Sequence, residues 1–94
     1  MVNYPNPFSE STCFTIDYDK PNVTANVEIH IFDITGRIVN TLEYNDLNVV
    51  DLKMDWNGLD AAGRHLPAGV YMYKVYLKDS DGDEHNTSQR MIIF

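Results

Sequence analysis

A thiol, an imidazole and a carboxylate together can supply a nucleophile and its base, and this chain offers Cys13, His30 and Asp33 for that role. Their pattern speaks against it. Cys13 and His30 each fall at an outward position of an alternating apolar stretch, with no orienting group at a suggestive spacing. A surface thiol and a surface imidazole are expected, with no catalytic residue and no enzyme activity. A second grouping, Asp79-Ser80-Asp81-Gly82-Asp83-Glu84, has the hard oxygen donors that calcium takes from a flexible loop. Its spacing is wrong for an EF-hand: glycine stands fourth rather than sixth, and Arg90 occupies the twelfth place, where a bidentate glutamate belongs. A solvated hairpin tip is the expectation. His30, His65 and His85 lie on separate elements without paired ligand spacing, so neither a metal nor a cofactor is expected. Tyr71, Tyr73 and Tyr76 could stack on a sugar, but parity turns the first two inward and leaves Tyr76 outside alone, which favours core packing.

These residues must be positioned by strands. Apolar residues recur at period two almost throughout, and no stretch sustains a helical stripe. From Thr12 to Tyr18, Phe14, Ile16 and Tyr18 share one face, opposite Cys13, Thr15 and Asp17. Ala25–Asp33 buries Val27, Ile29 and Ile31 and ends at Asp33-Ile34-Thr35-Gly36, where Asp offers a local turn bond and Gly accepts positive φ. Arg37–Leu42 returns as its hairpin partner, followed by a polar stretch from Glu43 to Asn48. Val50–Trp56 places Val50, Leu52, Met54 and Trp56 on one face. A loop from Asn57 to Gly63 and a Pro67-Ala68-Gly69 turn precede Val70–Lys78, which turns Tyr71, Tyr73, Val75 and Leu77 inward. Asn86–Phe94 closes the chain. The leading segment, residues 1–8, carries Pro5 and Pro7, which fix φ and remove amide donors, so it reads as a stiff extended approach with Tyr4 and Phe8 facing one surface. About seven short strands without intervening helices specify an all-β, antiparallel immunoglobulin-like sandwich in a single domain spanning residues 1–94. Neither an internal repeat nor a low-complexity tract is visible.

Composition removes several function classes. With 14 acidic and 7 basic residues the net charge is −7, and no basic cluster stands out. The electrostatic attraction that underlies nucleic-acid binding is missing, and anionic membrane surfaces fit no better. No apolar run is long enough to insert in a membrane, and the start lacks the basic and apolar regions of a signal peptide. The single cysteine excludes an internal disulfide.

Five strings then occur in order: Tyr4-Pro5-Asn6-Pro7-Phe8; Ile31-Phe32-Asp33-Ile34-Thr35-Gly36-Arg37; Trp56-Asn57-Gly58 with Asp60, Gly63 and Arg64; Leu66-Pro67-Ala68-Gly69-Val70-Tyr71; and Arg90-Met91-Ile92-Ile93. Together they resemble the C-terminal sorting domain of type IX secretion cargo in Bacteroidetes. They are also similar to the immunoglobulin-like domain of the flagellar hook-capping protein. The departures are Cys13 and Phe14, where small polar and apolar residues are more usual, the absence of a glycine-rich turn in Asn45–Asn48, and the terminal Phe94.

The resemblance implies a non-catalytic secretion and sorting signal at the end of a larger protein, secreted or displayed at the cell surface by way of the periplasm and outer membrane. Its implied partners are the type IX translocon, an outer-membrane shuttle, a sortase and an upstream passenger domain; no small-molecule substrate is implied. Partner recognition carries over to Gly69, Val70, Tyr71 and Lys74 and to Arg90, Met91, Ile92 and Ile93. The remaining motif residues, Tyr4 to Phe8, Asp33, Gly36, Arg37, Trp56, Gly58, Asp60 and Gly63, carry over as structural. Two alternatives remain open: an adhesion or carbohydrate-binding module appended to a secreted enzyme, and the retained C-terminal domain of a sortase-like secretion component.

Overall fold

The computed structural model describes residues 2–4 as backbone, and 11–20, 22–49 and 52–94 with their side chains. The described residues form seven strands: β1 (Val2–Tyr4), β2 (Thr12–Ile16), β3 (Thr24–Phe32), β4 (Ile38–Asn48), β5 (Leu52–Trp56), β6 (Gly69–Asp79) and β7 (Glu84–Ile93). They form an antiparallel sheet in the order β1-β2-β5 and another in the order β4-β3-β6-β7. The expected all-β, immunoglobulin-like sandwich is what the chain adopts.

The sandwich closes because each central strand keeps its apolar residues on one parity. Val27, Ile29 and Ile31 of β3 and Tyr71, Tyr73, Val75 and Leu77 of β6 are buried against Phe14, Leu52, Met54 and Trp56 of the smaller sheet. The Phe14 ring meets Tyr73 edge-on across the layers at 5.0 Å and stacks beside Trp56 at 6.2 Å. Such aromatic pairs add to the burial of their area. Hairpin pairing of β3 with β4 and of β6 with β7 is as expected.

Two expectations need correction. The polar run Glu43–Asn48 is not a loop but the second half of β4, paired with Thr24–Glu28. An edge strand needs only one buried parity, and here half-buried Leu42, Tyr44 and Leu47 supply it across a register shift between Ala25 and Val27, which breaks the even spacing. The last strand also begins earlier, at Glu84 rather than Asn86. Its partner Lys78 lies next to the turn, so pairing reaches the turn whatever the polarity of Glu84 and His85. Tyr4 enters the fold through backbone pairing with Cys13. Pro5, Asn6, Pro7, Phe8, Val50 and Asp51, with what was expected of them, lie outside the described residues.

Three turns share the design expected for the first of them alone: Asp33-Ile34-Thr35-Gly36-Arg37, Asp60-Ala61-Ala62-Gly63-Arg64 and Asp79-Ser80-Asp81-Gly82-Asp83. In each, the Asp amide donates to the carbonyl four residues on, the Gly amide donates back to the Asp carbonyl, and the Asp Oδ1 accepts amides two and four residues ahead. The glycine sits at φ near +89°, +82° and +91° respectively, a left-handed conformation that a side chain disfavours. The signal was legible as Asp-x-x-Gly at three sites.

Candidate functional site

The residues expected to carry recognition, Lys74 excepted, come together at one pole of the sandwich. Gly69 pairs with Ile93, Val70 with Ile92, Tyr71 with Met91 and Met72 with Arg90, so the two recognition strings are the open end of a single hairpin. Strand parity divides them. Tyr71, Met91 and Ile93 are buried, whereas Val70 and Ile92 are about two-fifths exposed on the outer face beside Arg90. Inward members pack in the core; outward members stand on the outer face.

The turn strings arrive at the same pole. A cleft of about 470 Å³ is lined by Asp33, Arg37, Ile38, Asp60, Pro67 and Tyr71 among others, drawing on three separated segments. The loop after β5 is fastened to β4 by Ala61 N donating to Val39 O at 3.0 Å and by Asn40 Nδ2 donating to Leu59 O at 2.8 Å. Tyr71 locks the approach to β6 by donating its hydroxyl to Pro67 O at 2.7 Å. Burial, with a lesser contribution from the Asp33 charge, raises the Tyr71 phenol above its ordinary range, so it stays a donor. Asp33 is held below the usual carboxylate range, chiefly by the Thr35 hydroxyl and further by the Arg37 and Thr35 amides. For Asp60 the Arg64 amide is the leading cause of the same lowering. Trp56 and Gly58, both buried, lead the chain into this loop. Lys74 stands apart from the hairpin end, opposite Ser88 and His30, with its ammonium 5.2 Å from the Tyr76 ring centroid.

The candidate chemistry resolves differently. Buried Phe14 and buried Ile29 and Ile31 turn neighbouring Cys13 and His30 to opposite outer faces of the sandwich, so they cannot act on one substrate. Burial, with help from Asp55, raises the Cys13 thiol, the wrong direction for a nucleophile. His30 instead pairs with Glu28. Tyr73 is buried and Tyr76 exposed, as parity required, and burial pushes the Tyr73 phenol up to about 12.

The acidic loop is an exposed hairpin tip from Ser80 to Glu84, and only Asp79 departs from that expectation. The Asp79 side chain is fully buried and accepts the Tyr18 hydroxyl at 2.7 Å and the Lys20 ammonium at 3.0 Å on Oδ2, while Oδ1 takes two backbone amides. Lys20 also reaches Asp81 at 3.0 Å and Asp83 at 2.5 Å, so an ammonium occupies the centre of the carboxylates where a calcium ion was considered. The Tyr18 hydroxyl, ahead of Lys20, holds the Asp79 carboxyl well below the usual range. The same bond is the main cause that pushes the Tyr18 phenol up to about 12. Alternation alone could not show this, because the partners are 59 and 61 residues apart.

The model of the FlgD Ig-like domain matches residues 4–81. The chain belongs to that family. The FlgD Ig-like match stops short of β7, which the structural comparison does cover. The crystal structure of dimeric latent PorU from Porphyromonas gingivalis superposes with a TM-score of 0.81 at 28% identity, over 98% of this chain and 9% of that one. This chain therefore spans a small part of the PorU chain it resembles. A comparison with curated proteins finds no match. The resemblance drawn from the five strings, to an immunoglobulin-like C-terminal domain of type IX secretion cargo and to the hook-capping domain, is supported by both matches.

Proposed function

We propose that this chain is a sorting domain that directs a larger protein through the type IX outer-membrane translocon to the cell surface, and that it does so without catalysis. One observation carries the reading. The turn strings around Asp33 and Asp60 and the strings Leu66–Tyr71 and Arg90–Ile93, scattered over the sequence, meet at one pole, around the cleft and the paired ends of β6 and β7. The likeness to PorU, a type IX secretion protein, supports the same system. Val70, Arg90 and Ile92 are the contacts to a translocon or shuttle; Gly69, Tyr71, Met91 and Ile93 set their geometry. Strand order supports reading by strand addition, since β7 is last in its sheet and follows β6 without a register shift from Lys78–Glu84 to Gly69–Ile93.

Deletion of Arg90–Phe94 from a fused passenger is expected to abolish its export from a bacterium with a type IX system, and normal secretion of that truncation overturns the proposal. The likeness to PorU also favours a second reading, a domain retained by a sortase-like component. A passenger that reaches the surface still joined to the domain supports that version, and release from it supports the removable label.

A further inference from the structure

The outer face of the four-stranded sheet is divided into two chemically distinct zones. Across the zone nearest the recognition pole, Ile38 of β4, Phe32 of β3, Met72 of β6 and Arg90 of β7 stand in one row, and Val70 with Ile92 forms the next. Ile38 is 51% exposed, Met72 41%, Ile92 40% and Val70 39%. Beyond Phe32 the same face turns polar, with His30, Lys74 and Ser88 in one row and Glu28, Tyr76 and Asn86 in the following one. Apolar side chains side by side over four strands are unlike the scattered exposure normal for a surface, and mark a contact area. Ile34, 82% exposed at the tip of the adjoining turn, extends it.

Charge identifies the kind of partner. Arg90 ends the apolar row, Arg37 stands at its other end, 3.4 Å from Asp33 but with its side chain 79% exposed, and Lys74 lies in the first polar row. The carboxylates Asp79, Asp81, Asp83 and Glu84 gather at the far pole with Lys20. We infer that Phe32, Ile38, Val70, Met72 and Ile92 form a docking surface for a protein partner whose own face is apolar with carboxylates at its border. The inference rests on the sorting reading and adds β3 and β4 to the recognition strings, which lie on β6 and β7. A second copy is the poorer occupant: twofold apposition sets Arg37, Arg90 and Lys74 against themselves, and each chain carries a net charge of −7.

The test uses a passenger fused to the whole chain, with Ile38→Glu, Met72→Glu, Met72→Lys and, in the polar zone, Asn86→Glu. All three sites are exposed, and melting of each purified variant checks the fold. Export should fall by about tenfold or more for Ile38→Glu and Met72→Glu, as loss of a packed contact and repulsion by carboxylates require. Met72→Lys should retain more export than Met72→Glu, and Asn86→Glu should match the parent. Parental export by both glutamate variants overturns the inference; equal loss with glutamate and lysine at position 72 overturns the acidic border. Should the Arg90–Phe94 deletion block export while these variants pass, the surface is wrong and the sorting reading stands; normal secretion of the deletion removes that reading itself. Sedimentation of the isolated chain is expected to show a monomer, and a dimer dissolved by Met72→Glu would assign the face to self-association instead. Binding to phosphatidylglycerol vesicles that Met72→Glu abolishes would likewise overturn the protein partner.

Discussion

Met91 and Ile92 are neighbours in the terminal recognition string, yet strand parity gives them opposite work, and replacing each by alanine should separate the two roles. Met91 is fully buried opposite Tyr71, whereas Ile92 is 40% exposed opposite Val70. Met91→Ala removes core volume that the two packed sheets can recover only in part, a loss of about 3 kcal/mol. A domain of this size has roughly 5–15 kcal/mol of total stability, so that loss takes a large share of it. At about 4–8 °C per kcal/mol, the melting temperature should fall by on the order of 15 °C. Ile92→Ala should change stability by no more than about 0.5 kcal/mol. Trp56, the single tryptophan and itself buried, reports unfolding in urea or on heating by its fluorescence. A Met91→Ala shift below about 1 kcal/mol, or equal shifts for both variants, would refute the division of the string into a buried and a displayed set.

Other consequences follow from the far pole and the turns. Asp79 has a folded pKa below its unfolded value, so its stabilisation is present above about pH 4 and is lost as pH falls from there toward the lower folded value. Melting temperature should therefore drop below about pH 4 in the parent and less steeply in Asp79→Asn; identical slopes would contradict the Tyr18 and Lys20 contacts. Because the Lys20 ammonium sits among Asp79, Asp81 and Asp83, neither calcium nor a chelator should shift melting, and a calcium-dependent rise would show the ammonium displaced. Gly82 has open space where a side chain would go but a φ of +91°, so Gly82→Ala should cost about 1–2 kcal/mol by conformation alone. Gly82→Asn should cost less, and an alanine variant as stable as the parent in denaturant would argue against the left-handed turn.

What could be read from the sequence was what repeats locally. Tyr71, Tyr73, Val75 and Leu77 advertised a central strand by parity, and Asp33 with Gly36 advertised a turn, because both signals involve residues within a few positions of each other. Glu43–Asn48 hid its strand, since the side chains Leu42, Tyr44 and Leu47 change spacing at a register shift that only pairing with β3 reveals. Asp79 looked like a solvated turn residue because Tyr18 and Lys20 reach it from the far end of the chain. The recognition strings were legible one by one, but their meeting at one pole depends on a crossover from the smaller sheet to the larger. The apolar row from Ile38 to Met72 was illegible for a related reason. It takes one outward residue from each of three strands, exposed Ile38 and Met72 and half-buried Phe32, and each alone is ordinary.

The most direct test of the account is sufficiency. A reporter carrying an export signal at its start and this whole chain at its end is followed in a type IX-competent bacterium and in the same strain without the translocon, by the fraction reaching the surface or medium. The account predicts surface or medium delivery in the first strain and periplasmic retention in the second. Equal delivery in both strains, or retention in both despite a folded domain, would contradict it.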